Sequence, residues 1–341
     1  MAVDIGGTRV RAARVSSEGR ILRRLREPVR DPHDGQALTQ QVLALVRRLG
    51  EPLQAQEPTR TADEAGSGEG VGPKAEPGAK SQAPVAVGLS VPAVLDREAG
   101  RVEWAPNLPG WNGWALGPRL SDSLGLPVTL EYDGHAAALG EQWTGAGRLV
   151  ADLAFIIVGT GVGGGIISGG RLVRGATNLA GAGGWMGVPA TGGWDAGAAA
   201  ERGFLESLIA GPALAARARW LLHRPVDARE LFERAREGDV ACREIVAEAV
   251  DHLAWALVGV VSLLNPRLIL LGGSVGLQLA RYGPQIEATI RRYAQPWAAR
   301  AVQVAPASLG DDAGLLGAAR SAFELAPPPG PTQRKGDWDG S

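Results

Sequence analysis

The chain has 341 residues, enough for two modest domains with a sizeable core, and its 45% apolar and 21% charged residues are the proportions of a soluble globular protein. A net charge of −1 gives no basic footprint for nucleic acid, and the single cysteine, Cys242, excludes an intrachain disulfide and a multi-cysteine metal site. No apolar run approaches the ~18 residues of a membrane span, and an N-terminus carrying Asp4 is no signal peptide, so a cytoplasmic protein without a membrane partner is expected.

The chain opens on a hydrophobic strand end running into Asp4-Ile5-Gly6-Gly7-Thr8. Paired glycines behind an acidic residue allow a turn with φ > 0 and a close approach to phosphate; an ordinary glycine hairpin reads the same way. The strand before Asp4 is shorter than the usual five or six residues, so either residues precede Met1 or the first lobe is weakened. Residues 10–15 and 21–22 flank a Gly19 turn, a β-hairpin, and residues 36–49 place Leu38, Val42, Leu45, Val46 and Leu49 at helical spacing. Residues 51–84 are rich in Gly, Pro, Ala, Glu and Ser and predict a flexible insertion, after which residues 85–90 read as a buried strand.

Trp104-Ala105-Pro106-Asn107-Leu108-Pro109-Gly110-Trp111 sets an amide between prolines and aromatics. Asn107 could donate to and accept from sugar hydroxyls while Trp covers an apolar sugar face; a packed proline turn with core tryptophans is the alternative. Residues 128–131 form a strand ending near Asp133, and residues 136–143 a helix. A carboxylate at that junction suits a general base taking a hydroxyl proton in phosphoryl transfer, and it suits a helix N-cap equally. Residues 153–158 are a buried strand feeding Gly159-Thr160-Gly161-Val162-Gly163-Gly164-Gly165, with a hairpin from 165–167 and 171–173. The G-x-G-x-x-G match at Gly159, Gly161 and Gly164 would need to open a helix to bind a dinucleotide, and strand and turn residues follow instead.

Beyond residue 195 the pattern is mostly helical. Residues 252–264 form a very apolar helix, core or interface, that stops at Asn265-Pro266. A strand at 268–271, Gly272-Gly273, helices at 285–293 and 312–323 and a strand at 302–304 follow, and the tail from Pro327 reads as disordered. Alternating strands and helices indicate an α/β protein.

Together, Asp4–Thr8, Asn107–Trp111, Asp133–Glu141 and Gly159–Gly165 resemble, in order and spacing, the ROK family (repressor, open reading frame, kinase), across roughly residues 1–325 apart from the 51–84 insertion. The resemblance implies an actin-like ATPase (ribonuclease H-like) fold of two lobes with a nucleotide and sugar cleft between them. Residues 1–117 would form the N-terminal lobe and 118–326 the C-terminal lobe, with the last helix packing back on the first lobe and 327–341 a tail. It implies a glucokinase-like, ATP-dependent kinase acting on a hexose hydroxyl, with Asp133 as the catalytic base and Asp4 holding Mg²⁺ through water. Gly6, Gly7, Thr8, Gly159, Thr160 and Gly161 would cradle the phosphates of ATP, and Gly272 and Gly273 the adenosine. Asn107, Tyr132, Asp133, Trp185 and Glu206 would line the sugar site.

The chain departs from the family in that site. Tyr132 stands where the family has Asn, and Ala182-Gly183-Gly184-Trp185 where it has Glu-x-Gly-His. That histidine is a zinc ligand in many members; Trp185 cannot ligate and no cysteine lies between 180 and 206, so no structural zinc is expected. Each lost hydroxyl partner costs on the order of 1–3 kcal/mol. A non-catalytic ROK-like protein that binds nucleotide or sugar and acts through partners is therefore the alternative. A homo-oligomer, a dimer, is expected in either case.

Overall fold

Each half of the chain contains a strand, a glycine turn and a second strand, and each pair becomes the antiparallel part of a five-stranded mixed sheet. The computed structural model describes residues 1–51, 84–189 and 196–325; the expected insertion and tail lie outside the described residues, apart from the insertion's two end positions.

In the first half, β1 (Ala2–Ile5), β2 (Arg9–Val15) and β3 (Ile21–Pro28) are followed by α1 (Gly35–Gly50) and β4 (Val87–Val91). A small hairpin of β5 (Val94–Asp96) and β6 (Arg101–Trp104), then α2 (Leu116–Leu124) and β7 (Val128–Tyr132), complete it. The sheet runs β3-β2-β1-β4-β7, with β1, β4 and β7 parallel. Asp34 caps α1 by accepting from the Gln36 and Ala37 amides, and α1 buries Leu38, Val42, Leu45, Val46 and Leu49 against this sheet, the stripe its sequence spacing predicts.

The second half begins with α3 (Asp133–Thr144), β8 (Leu153–Val158), β9 (Val162–Ser168) and β10 (Arg171–Val173). The helices α4 (Ala196–Arg202), α5 (Glu206–Ile209), α6 (Gly211–Leu222), α7 (Ala228–Glu237) and α8 (Val240–Leu264) come next. Then β11 (Leu268–Gly272), α9 (Gly273–Leu279), α10 (Gly283–Tyr293), α11 (Pro296–Ala301), β12 (Gln303–Pro306) and α12 (Ala313–Leu325) close the chain. Its sheet, β10-β9-β8-β11-β12, repeats the order of the first.

Three expectations change. A lobe boundary at 117 puts residues 118–132 in the second lobe, but β7 pairs in parallel with β4, Leu130 opposite Leu89, and buries Leu130 in the first core. That pairing is a long-range contact with no local signature. The glycine run after Gly161 is not loop: β9 starts at Val162, and Cβ atoms at Gly164 and Gly165 would lie 2.1 Å from the Phe155 carbonyl and 2.7 Å from Ala138. The third is α8, which extends to 25 residues and is long and apolar enough to span a membrane. Its Ile245, Val246, Ala249, Leu253, Leu257 and Val261 are instead buried in the second core.

Helix α12 returns to the first sheet, lying against β1, β4 and β7 on one side and α3 on the other. The approach to α3 is close enough that a Cβ on Gly317 would fall 1.5 Å from the Ala136 carbonyl oxygen. Only glycine fits such a crossing.

Candidate active site

The carboxyl ends of β1, β4 and β7 lie side by side, the place where open parallel sheets leave a crevice. Asp4 on β1 is level with Ser90 on β4, and Asp133 follows β7 directly. Antiparallel register puts Arg11 opposite Asp4, and Arg11 Nη1 donates to Asp4 Oδ2 at 3.2 Å. The same guanidinium donates to the Asp311 backbone oxygen at 3.0 Å and its Oδ2 at 2.9 Å. Gly314 of α12 closes over the carboxylate, since a Cβ there would stand 2.7 Å from Asp4 Oδ1 and 3.1 Å from the Ser90 hydroxyl. Burial raises the Asp4 pKa, Ser90 and Arg11 oppose that, and Asp311 adds to it.

Asp133 is the first residue of α3, and its Oδ1 accepts from the Gly134 amide at 2.8 Å. The cap position falls to Tyr132 and carries no side-chain cap bond, so the N-cap reading of Asp133 does not hold. Burial pushes the Asp133 pKa up to about 7; the Gly134 amide opposes this and the nearby Asp4 carboxylate reinforces it. A base with a pKa near neutrality is matched to proton transfer at physiological pH.

The two glycine turns belong to different sheets. In the first, Gly6 N–H donates to the Arg9 carbonyl at 2.8 Å, and Gly7 backs onto Asn107, whose Cβ would be 3.4 Å from a Cβ on Gly7. Asn107 is exposed, while Trp111 in the same segment is fully buried and donates Nε1–H to the Gly35 carbonyl at 3.0 Å. The packed-turn reading holds for Trp111, which is core, while Asn107 faces out beside the first glycine turn.

In the second turn Gly159 N–H donates to the Gly161 carbonyl at 2.9 Å, and the Gly211 amide to the Gly159 carbonyl at 2.8 Å. Glu206 Oε2 accepts from the Val162 amide at 2.7 Å, with a Gly161 Cβ position only 2.9 Å away. Glu206 therefore braces the turn backbone directly. Gly272 ends β11, and Gly273, with φ +79, opens α9 where a Cβ would fall 2.4 Å from the Val158 carbonyl.

The Tyr132 ring lies between two glycines: Cβ atoms on Gly134 and Gly163 would stand 2.8 Å from its Cε1 and its hydroxyl. Burial raises its phenol pKa, and Asp133 and Glu206 raise it further. Trp185 ends a short 3₁₀ turn, 58% exposed. Sequence reasoning missed Arg11, Ser90, Gly211 and Gly314. Hairpin register could have found Arg11 opposite Asp4; the others come from pairings and packings with no sequence signal. Among the described residues no group of three or more His, Cys, Asp and Glu is arranged to hold a metal ion.

The sequence profile of the ROK family matches residues 74–324. The glucokinase of Thermotoga maritima is 30% identical over 334 residues, covering 94% of this chain and 95% of that protein. Among solved structures, a ROK hexokinase from Thermus thermophilus superposes with a TM-score of 0.75 at 30% identity, covering 94% of this chain and 97% of that one. A ROK glucokinase from Streptomyces griseus, in complex with glucose and AMPPNP, gives 0.68 at 27% identity, covering 94% and 98%.

Proposed function

This chain belongs to the ROK family, and on that premise we propose that it is an ATP-dependent sugar kinase transferring the γ-phosphoryl group to a hexose hydroxyl, glucose being the first substrate to test. The observation that carries the reading is Asp133, with a pKa of about 7, beside Asp4 at the crevice where the parallel strands β1, β4 and β7 end.

In this reading Asp133 takes the proton of the attacking hydroxyl as its oxygen bonds to the γ-phosphorus and the bond to the β-phosphate oxygen breaks. The backbone amides of Gly7 and Thr8 and of Thr160 and Gly161 face the phosphates, Gly6 and Gly159 shape the turns through their own amide hydrogen bonds, and Gly272 and Gly273 face the adenosine. Asp4 and the Ser90 hydroxyl form an all-oxygen set suited to Mg²⁺ held through water, with Arg11 offsetting part of the buried charge. Bound there, Mg²⁺ would neutralise charge on the phosphates. Asn107 and Tyr132 orient the sugar, Trp185 offers an exposed aromatic face to it, and Glu206 acts through the turn it braces.

A second reading, a binding protein without turnover, is favoured by Ala182 and Trp185, which replace the polar groups of the family's sugar site. ATP consumption with Mg²⁺ against a panel of hexoses, N-acetylhexosamines and larger glycosides separates the two. Turnover with any sugar, lost in Asp133→Asn, supports the kinase; no turnover alongside stabilisation by ATP overturns it in favour of the binding protein.

The protein works in the cytoplasm as a dimer in this proposal. Trp255, Gly259 and Leu263 form a stripe on α8 next to Tyr293, with Leu263 84% exposed. Leu263→Glu should shift the sedimentation of a dimer to that of a monomer.

A further inference from the structure

Glu131 and His135 are both buried, and nothing in the phosphoryl-transfer chemistry uses them. Glu131, on β7, accepts from Arg174 Nη2 at 2.8 Å and from the Ser321 hydroxyl of α12 at 3.1 Å, with Arg97 Nε at 3.6 Å. One turn further on, the His135 Nε2–H donates to the Ala180 carbonyl at 2.6 Å, which leaves Nδ1 facing Glu131 Oε1 at 3.5 Å. Arg174 and Ala180 are the two ends of one loop, closed by the Ala180 amide donating to the Arg174 carbonyl at 3.0 Å. A pair of side chains carried by the strand and helix that flank Asp133 thus grips both ends of a loop from the other sheet. Asn178 in that loop also donates to the Leu95 carbonyl of β5, at 3.2 Å.

Residues 181–185 follow immediately. Gly181, with φ +91, lies so close to β9 that a Cβ there would stand 2.9 Å from Gly165 Cα, so the segment has no slack against the second phosphate hairpin. His135 also meets the Tyr132 ring edge-on, centroids 5.2 Å apart. We propose that Glu131 and His135 are positioning residues: a two-point clasp on the loop 174–180 that fixes segment 181–185 and Tyr132 relative to Asp133, and so sets where the acceptor hydroxyl of a sugar lies. The assignment of sugar to that side rests on the kinase reading above; the clasp itself does not.

The clasp acts on sugar alignment and leaves the nucleotide turns alone, since neither residue touches residues 4–8 or 159–161 through any of the bonds above. His135→Ala removes one point of the grip, and His135→Gln restores a donor that reaches the same carbonyl. With glucose as the probe, His135→Ala should raise the sugar KM about tenfold, the scale of one lost buried hydrogen bond. Its kcat should fall less, stabilisation by ATP should stay at the wild-type level, and His135→Gln should recover most of the KM. Hydrogen–deuterium exchange supplies a readout independent of turnover: the amides of Ala180, Ala182, Gly183 and Trp185 should exchange faster in His135→Ala, and those of Gly159 to Val162 should not change. Unchanged exchange in residues 180–185 overturns the clasp, as does an equal loss of ATP affinity. Faster exchange there, in a protein that phosphorylates no sugar, upholds the clasp and refutes only the kinase reading.

Discussion

Asp133→Asn separates the proposed catalytic role of this carboxylate from its cost to the fold. In the folded protein burial, reinforced by Asp4, lifts its pKa from 3.8 to about 7. The folded state therefore binds this proton more tightly than the unfolded chain does. Below pH 3.8 the group is protonated in both states and costs nothing; between 3.8 and about 7 stability falls as pH rises, and above 7 the full cost is present. At 1.36 kcal/mol per pH unit the ceiling is ~4 kcal/mol, trimmed by the partial solvent contact of the side chain. Asparagine keeps an oxygen for the Gly134 amide and cannot ionise. The pH-independent expense of burying an amide cancels when the gap between variant and wild type is followed against pH. Urea denaturation at pH 5 and pH 8 should show the advantage of Asp133→Asn widening by ~2–3 kcal/mol. The same wild-type protein should lose kcat/KM about tenfold per pH unit below 7, and the variant should have no turnover. A stability gap that is constant with pH, or that closes as pH rises, would refute a raised Asp133 pKa.

Other substitutions probe the frame of the site. Asp4→Asn removes the carboxylate that repels ionised Asp133, so the acid limb of any residual activity should move below 7 while the rate drops on the order of 100-fold; a limb that stays put refutes the coupling. Glu206→Ala deletes the acceptor of the Val162 amide and should weaken AMPPNP binding about tenfold by calorimetry; a loss confined to sugar binding would instead favour direct contact with the sugar. Gly317→Ala drives a methyl into the Ala136 carbonyl and should cost ~3 kcal/mol or more in urea denaturation, and a loss below ~1 kcal/mol would show that α3 and α12 can part.

The parts of this protein that local chemistry dictates were legible in its sequence. The hydrophobic stripe of α1, the proline stop after α8 and the positions of the two glycine turns follow from periodicity and local residue type, which neighbouring residues set, although Gly6, Gly7, Gly159 and Gly161 all form their turns without entering the left-handed region that the sequence suggested. The strand–carboxylate–helix junction at Asp133 was legible as a local pattern, but that pattern suited a helix cap equally well, and the resemblance to the ROK family is what singled Asp133 out as the candidate base. Tertiary structure decided what depends on contacts between distant residues. It moved β7 into the first sheet, since parallel pairing joins segments with no turn between them to announce it. It turned the glycines after Gly161 into a strand, because the lack of a Cβ serves close packing on Phe155 and Ala138 as well as it serves a loop. Burial beside Asp4 raised the Asp133 pKa to about 7, and Glu206 became a brace for the second glycine turn through a single amide of Val162. Desolvation and charge proximity arise only once the chain has folded, so no reading of residue order could have supplied them.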